Sequence, residues 1–257
     1  MSVTLAASEY GAGAPVAILH GLFGQARNWA SIARRLGVRH RVVVFDLRNH
    51  GTSPWDAAMD YPAMAEDVRE AMLVRGHPRF ALIGHSMGGK AAMTLALGDP
   101  AAVERLVVVD AAPVAQPIPY LSYVQAMRAL DLEAIVRRGE ADAALAATIP
   151  DAAERNFLLQ SLDFGGEPPR WRLNLAALET AMPALGGFPD FRPGTRYDGP
   201  ALFIAGGRSS ALTAAHEPAI RALFPCAQVA RIADAGHWVH AERPVEFLAL
   251  VEPFLAD

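Results

Sequence analysis

Cysteine is almost missing from this sequence of 257 residues, because Cys226 is the single example. One cysteine cannot form an intramolecular disulfide, a thiolate metal cluster or a CxxC redox pair. An excess of basic charge is missing as well: 23 Lys and Arg are outnumbered by 27 Asp and Glu, which gives a net charge of −4. Charge therefore offers no reason to bind nucleic acid or an anionic membrane. The near absence of cysteine makes a reducing cytoplasm the expected location.

Long apolar runs are also missing. No segment has about 18 consecutive apolar residues, and residues 1–9 lack both the basic n-region and the apolar h-region of a signal peptide. We therefore expect neither export nor a membrane span. Hydrophobic residues are nevertheless abundant at 52%, so the chain can bury a sizeable core in one large domain or two small ones.

Apolar residues alternate between short and long segments. The short segments are rich in β-branched residues and predict buried parallel strands at 16–19, 41–45, 80–83, 105–109, 201–204 and 229–232. The longer ones have helical spacing and predict helices at 29–36, 64–74, 90–97, 217–224 and 245–255. This order predicts an α/β fold with a mostly parallel, doubly wound sheet, for which residues 3–8 are a candidate antiparallel edge strand.

The alternation breaks at residues 113–198, where leucine and other apolar residues recur at helical intervals. Prolines such as Pro150 and Pro183 are expected to separate these helices. We interpret this segment as a helical insertion, and residues 1–112 and 199–257 as the core. An insertion at the carboxyl end of a strand would cover the crevice in which open α/β sheets bind ligands, so a lid is predicted.

A serine lies at the junction of a predicted strand and a predicted helix, in Gly84-His85-Ser86-Met87-Gly88-Gly89. This order is typical of a nucleophile elbow, in which a sharp turn lifts the serine hydroxyl clear of the sheet edge. The glycines at 84 and 88 would avoid collisions with the neighbouring strand and helix. A helix-capping serine would fit the same letters, but the strand before and the helix after favour Ser86 as a nucleophile.

A serine hydroxyl needs a base, and the base needs an orienting acid. His237 follows the last predicted strand, in Gly236-His237-Trp238-Val239-His240, at the same sheet edge as Ser86. We predict His237 as the general base. His240 competes with it but belongs to the following turn or helix, where packing is the more common role. The His-x-x-His spacing would also suit a metal pair, yet no third ligand is in view and no metal is predicted.

These motifs together resemble the α/β-hydrolase family over nearly the whole chain. Five ordered blocks carry the resemblance: HGLFG at 20–24, DLRNHGTSP at 46–54, YPAM at 61–64, GHSMGGK at 84–90 and GHWVHAE at 236–242. The combination is similar to the YbfF-like branch of small bacterial acyl-ester hydrolases. The resemblance implies the α/β-hydrolase fold and a serine esterase that needs no cofactor.

The catalytic acid is where the sequence departs from the common family pattern. In many members the acid follows the seventh strand, but the loop at 206–212 contains no carboxylate here. Asp110 ends the strand next to that of the serine, and an acid there resembles the YbfF-like arrangement. Strands about 4.8 Å apart would bring it within reach of His237. Asp110 is therefore predicted as the acid, with Glu217 and Asp234 as alternatives.

An oxyanion formed during acyl transfer needs two backbone N–H donors. The elbow offers the N–H of Met87 at the start of its helix, where the helix dipole favours negative charge. The family resemblance places the second donor at Leu22, with Phe23 as the alternative. His20 is interpreted as a structural residue that holds this loop through a hydrogen bond.

Other polar residues are expected to be structural or stay open. Four of them should fix the loop after the second parallel strand: Asp46, Arg48, Asn49 and His50. Lys90 could meet a substrate anion or be solvated. Arg170 and Arg172 could contact an acidic head group, although a surface position is the more common outcome for arginine.

The sequence thus predicts a serine hydrolase that cleaves a small-molecule carboxylic ester or acyl thioester. Ser86 would attack the carbonyl, His237 would move the proton and Asp110 would hold the imidazole. A perhydrolase, a carbon–carbon bond hydrolase or a lyase could keep the same residues, and a noncatalytic module could keep the pocket. The acyl chain length and the oligomeric state stay open.

Overall fold

Strands alternate with helices along the core as predicted, in a computed structural model that describes residues 2–166 and 168–256. The described residues contain the strands β1 Ala7–Tyr10, β2 Ala14–Leu19, β3 His40–Phe45, β4 Phe80–His85, β5 Val103–Val109, β6 Leu162–Asp163, β7 Arg170–Trp171, β8 Ala201–Gly206 and β9 Ala227–Ile232. Seven of these form one sheet in the order β1-β3-β2-β4-β5-β8-β9. β1 is antiparallel to β3, and the other neighbouring pairs are parallel.

Helices cover both faces of this sheet. They are α1 Ala30–Leu36, α2 Tyr61–Val74, α3 Met87–Gly98, α4 Leu121–Arg128, α5 Arg138–Leu145, α6 Ala152–Leu159, α7 Leu175–Gly186, α8 Glu217–Leu223, α9 Val239–Glu242 and α10 Pro244–Ala256. One core contains Met64 of α2 and Met93 of α3, and the other contains Ile32 of α1 and Phe247 of α10. Burial of apolar surface on both faces explains the continuous hydrophobic strands, and the predicted doubly wound α/β fold is confirmed.

The antiparallel edge strand is present, but residues 3–8 were the wrong bounds. β1 begins at Ala7, and two N–H groups before it bond to side chains rather than to a strand. The N–H of Val3 donates to Asp67 Oδ1 at 2.7 Å, and the N–H of Ala6 donates to Ser53 Oγ at 2.9 Å. The ladder with β3 pairs Ala7 with Phe45 and ends at Tyr10 with Val42.

The insertion (residues 113–198) contains α4–α7, together with a short hairpin of β6 and β7 that the leucine spacing did not predict. Pro183 was expected to separate two helices, but it lies inside α7. A residue of α2 stabilises the last turn of α7, because the hydroxyl of Tyr61 donates to the carbonyl of Leu185 at 2.5 Å. The division of the chain into core and lid stays a prediction.

The parallel strands end at one edge of the sheet, where the predicted site residues follow them. Ser86 comes directly after β4 and Asp110 directly after β5, while His237 lies in the loop after β9. The carboxyl edge of the sheet therefore gathers side chains that are far apart in sequence. None of the helices in the described part of the chain has the length and hydropathy that crossing a bilayer requires.

Candidate active site

The elbow between β4 and α3 is a strained turn. Ser86 has φ 53° and ψ −116°, a positive φ that side chains rarely adopt. The turn depends on its glycines: a Cβ on Gly84 would lie 2.2 Å from the carbonyl oxygen of Gly88, and a Cβ on Gly88 would lie 2.4 Å from that of His20. The predicted reason for these two glycines is confirmed.

His237 lies against the serine. Its Nε2 accepts a hydrogen bond from the Ser86 hydroxyl at 3.0 Å. The loop is fixed by two further residues, because His85 Nε2–H donates to the carbonyl of His237 at 2.9 Å and the Glu242 carboxylate accepts from the N–H groups on either side of His237 at 2.8 and 3.3 Å. His85 and Glu242 were not singled out in the sequence, although both belong to motif blocks.

Asp110 completes a hydrogen-bonded chain with Ser86 and His237. It is fully buried, and its Oδ2 accepts Nδ1–H of His237 at 2.7 Å. The hydroxyl of Ser209 donates to the same oxygen, and the N–H of Gly206 donates to Oδ1 at 3.0 Å. Three donors therefore compensate for the burial of a carboxylate, which would be costly without partners.

Ser209 is another residue that the sequence analysis did not single out. It lies in the loop after β8, which contains no carboxylate where many family members have their acid. In this chain the loop donates to an acid on the neighbouring strand instead of supplying one. A hydroxyl in a loop that lacks the expected carboxylate is the signal that could have identified it.

The competing acid and base lie elsewhere. His240 is buried in α9 with its ring stacked on Trp29 at 3.8 Å between centroids, and burial lowers its pKa to about 3. Asp234 is exposed, and Glu217 faces Arg221 at the surface. The part of the chain that the structure describes contains no group of three or more His, Cys, Asp or Glu residues arranged to hold a metal ion.

Met87 and Leu22, the two predicted oxyanion donors, both lie near the serine. Met87 is the first residue of α3, where N–H groups have no partner within the helix. Leu22 lies in the loop after β2 and lines the same cavities as Ser86. Phe23, the alternative to Leu22, directs its N–H to His50 Nε2 at 3.3 Å. The N–H of Phe23 is thus already engaged, and Leu22 stays the predicted oxyanion donor.

His20 holds the loop after β2, as predicted. Its Nδ1–H donates to the carbonyl of Gly21 at 2.8 Å, and its Nε2 accepts the N–H of Leu47 at 3.0 Å. Both ring nitrogens are therefore used by the backbone. Arg48 is also paired internally, with hydrogen bonds of 2.7 and 2.8 Å to the buried carboxylate of Asp67.

The remaining residues of the loop at 46–50 have the structural roles expected of them. The Asp46 carboxylate accepts from the N–H and the hydroxyl of Thr52 at 2.8 and 3.0 Å. Asn49 Oδ1 accepts the N–H of Asp56 at 2.9 Å. His50 Nδ1–H donates to the backbone carbonyl two residues earlier at 2.8 Å, which leaves its Nε2 as an acceptor.

Lys90 fastens the insertion to α3. Its Nζ donates to the backbone carbonyls of Val114, Gly186 and Gly187, at 3.0, 3.3 and 2.7 Å. A cation at the carboxyl end of α7 is favoured by the helix dipole, although burial lowers the pKa of Lys90 to about 8. Arg170 and Arg172 both face Asp163 on the short hairpin, which places them at the surface rather than in the site.

Two cavities meet at Ser86. The narrow cavity has a volume of about 40 Å³ and is mostly apolar. The wide cavity has a volume of about 470 Å³ and carries more polar groups. The narrow cavity is lined in part by Tyr120, Tyr123, Phe157 and Trp238. Leu22, Ser86, Tyr120 and His237 border both cavities, so a molecule at the serine could extend into either side.

A mostly parallel, doubly wound sheet with a serine at the elbow after a central strand defines an α/β-hydrolase. Comparison with known families agrees, since the sequence model of the α/β hydrolase fold matches residues 14–244. The chain belongs to the α/β-hydrolase family.

Several relatives within this family are named as esterases or lipases. The chain is 42% identical to an sn-1-specific diacylglycerol lipase ABHD11 of Xenopus tropicalis over 245 residues, which covers 92% of this chain and 76% of that protein. It is 35% identical to esterase YbfF of Escherichia coli, covering 95% of this chain and 93% of the relative. A solved marine microorganism esterase superposes with a TM-score of 0.94 at 33% identity, covering 99% and 100% of the two chains. The resemblance to the YbfF-like branch is confirmed, and so is the predicted class of enzyme, a carboxylic ester hydrolase.

Proposed function

We propose that this protein cleaves carboxylic esters or acyl thioesters through an acyl-enzyme on Ser86. The observation that carries the proposal is the hydrogen-bonded chain from Ser86 Oγ through His237 to Asp110, with distances of 3.0 and 2.7 Å. A serine–histidine–aspartate chain is the arrangement that activates a neutral hydroxyl for attack on a carbonyl.

In the first half of the reaction, Ser86 Oγ attacks the acyl carbonyl and its proton moves to His237 Nε2. The buried Asp110 carboxylate, which accepts Nδ1–H, stabilises the imidazolium that forms and fixes the tautomer of His237. The tetrahedral oxyanion accepts hydrogen bonds from the N–H groups of Leu22 and Met87. The imidazolium then protonates the departing alcohol or thiol, and the acyl group stays on the serine.

In the second half, water enters the vacated side of the site. His237 Nε2 takes a proton from that water, whose oxygen attacks the acyl-enzyme carbonyl. The second tetrahedral intermediate uses the same two N–H donors. Collapse of this intermediate returns the proton from His237 to Ser86 Oγ and releases the carboxylic acid. The residues of this chain supply every proton transfer in the sequence, so the proposal needs no cofactor.

Acyl esters of small molecules are the substrate class that the two cavities support best. A site with an apolar aromatic side and a wider, more polar side suits a molecule with an acyl chain on one side of its ester and a polar group on the other. The insertion, residues 113–198, contributes Tyr120, Tyr123 and Phe157 to the narrow cavity. This contribution supports the assignment of the insertion as a lid. The relatives named as esterases and as a diacylglycerol lipase point to the same class.

The test is hydrolysis of p-nitrophenyl esters from acetate to long acyl chains, with wild type and Ser86→Ala measured side by side. Turnover that depends on Ser86 is expected, and its chain-length profile would measure how much acyl chain the site accepts. A well-folded wild-type protein that binds these esters but does not turn them over would contradict the proposal. A matching thioester series then decides which bond is cleaved faster.

A further inference from the structure

Phe23, the neighbour of the proposed oxyanion donor Leu22, is held from two directions. From the core, His50 Nε2 accepts its N–H at 3.3 Å. From the insertion, the hydroxyl of Ser161 donates to its carbonyl at 3.2 Å, and its ring packs edge-on against Tyr120 at 5.9 Å between centroids. Its φ of 64° is one that side chains rarely adopt, so this backbone depends on its contacts.

Ser161 is buried and has no part in the proposed reaction. It is 1% exposed and lies between α6 and β6, where its own carbonyl accepts the N–H of Arg172 at 2.8 Å. Besides donating to Phe23, its hydroxyl accepts from Gln25 Nε2 at 3.4 Å. Ser161 therefore bonds twice to the segment that follows Leu22.

Gln160, the residue before Ser161, also bonds to the segment that follows Leu22. The carbonyl of Gln160 accepts from the guanidinium of Arg27, and Gln160 Oε1 accepts from Asn28 Nδ2 at 2.7 Å. The turn at 160–161 thus docks along residues 23–28. It does so through hydrogen bonds, which are directional and fix the position of the backbone.

We propose that Ser161 is a positioning residue, through which the docked insertion holds the loop of Leu22 in the geometry that receives the oxyanion. The inference rests on the proposed function, because it assigns the loop a place in that reaction. The carbonyl of Phe23 is one residue from the N–H of Leu22, so a rotation of this segment would turn that N–H away from the serine. An oxyanion donor acts through preorganisation, so small displacements lower kcat.

The test compares Ser161→Ala with Tyr197→Phe, a matched loss of one buried hydroxyl. The hydroxyl of Tyr197 donates to the carbonyl of Val103 at 3.1 Å, at the opposite end of β5 from the site. Removing an oxyanion donor entirely costs about 10²- to 10³-fold in kcat, so a loosened donor in Ser161→Ala should cost about tenfold with KM changed less than about twofold. Affinity for a trifluoromethyl ketone, which forms a tetrahedral oxyanion on the serine, should fall in parallel with kcat. Tyr197→Phe should keep both values near those of wild type.

Amide hydrogen exchange of residues 20–25 is the second readout, and it needs no activity. Ser161→Ala should exchange faster there than wild type or Tyr197→Phe. Unchanged exchange, or an unchanged kcat and inhibitor affinity in an active enzyme, would overturn the positioning role while leaving the proposed function intact. Absence of Ser86-dependent turnover in wild type would instead overturn the proposed function, whatever the exchange shows.

Discussion

The carboxyl edge of the sheet has two layers of polar residues, and the histidine of one layer is more exposed than the histidines of the other. The front layer is Ser86, Asp110 and His237, joined in one hydrogen-bonded chain. The rear layer consists of four buried histidines: His20, His50, His85 and His240. The side chain of His237 is 26% exposed, whereas those of the rear layer are closed off from solvent. The same residue type therefore occurs in two environments at one edge of the sheet.

Burial favours the neutral form of the rear histidines. It lowers the pKa of His50 and of His240 to about 3, and that of His85 well below its ordinary value. A neutral imidazole donates through one nitrogen and accepts through the other, and His20 and His50 bond to the backbone in that way. The comparison teaches that exposure of the side chain, rather than residue type, separates a proposed general base from a structural histidine.

The largest expected effect comes from the front layer. Ser86→Ala should lower kcat by about 10⁵- to 10⁶-fold, because removal of the nucleophile leaves only the binding site and the oxyanion donors. Its circular dichroism and melting temperature should stay close to those of wild type. The measurement is p-nitrophenyl ester turnover at saturating substrate. A loss of only a few fold would mean that another group attacks the ester.

Asp110→Asn is expected to rank next, with a loss of about 10⁴-fold in kcat, because an amide at this position can no longer hold His237 in the required tautomer. Asp234→Asn and Glu217→Gln are the matched controls, since both remove a surface carboxylate outside the site. They should keep activity near that of wild type. An active Asp110→Asn together with an inactive control would move the acid to the other residue.

Much of the fold and the front layer could be predicted because the signals are local. The apolar run of β4, the glycines of the turn and the start of α3 are contiguous, so one motif specifies the setting of Ser86. His237 and Asp110 each follow a strand directly or through a short loop, and parallel strands end at the same edge.

Contacts between distant segments could not be predicted in this way. Ser209 lies 99 residues from Asp110, and Ser161 lies 138 residues from Phe23. The sequence around Ser209 or Ser161 has no periodic pattern from which such a hydrogen bond could be predicted. The hairpin of β6 and β7 was missed for a related reason, because two residues in each strand are too few to show alternation.

Ser209 connects the loop after β8 to the front layer. Removing its hydroxyl should therefore lower kcat less than Asp110→Asn does, but more than a change in the rear layer. Ser209→Ala deletes one charge-assisted hydrogen bond to Asp110 and is expected to lower kcat by about tenfold. KM should change little, since the hydroxyl is directed at the acid rather than at a substrate. Tyr197→Phe again serves as the reference for loss of a buried hydroxyl. Equal kinetics in the two variants would show that Asp110 is held without Ser209.

The smallest effect on activity is expected from the rear layer, where His240→Phe should keep kcat within about twofold of wild type. A phenyl ring can retain the stacking on Trp29, and Nδ1 of His240 has no hydrogen-bond partner among the described residues to lose. The informative change is in acid stability. Below pH 6.5 the unfolded chain protonates this histidine, but the folded protein does not until about pH 3. The free energy of unfolding of wild type therefore falls as the pH drops through that window.

His240→Phe removes this contribution, so its free energy of unfolding should depend less on pH between 6 and 4. One proton accounts for at most about 1.4 kcal/mol per pH unit, and the other buried histidines still add their own dependence. Urea unfolding at several pH values measures the two slopes. Parallel slopes would mean that His240 is protonated in the folded state. A large loss of kcat would mean that His240 takes part in the reaction. The distinction between a reacting front layer and a structural rear layer would then fail at the rear histidine nearest to His237 in the sequence.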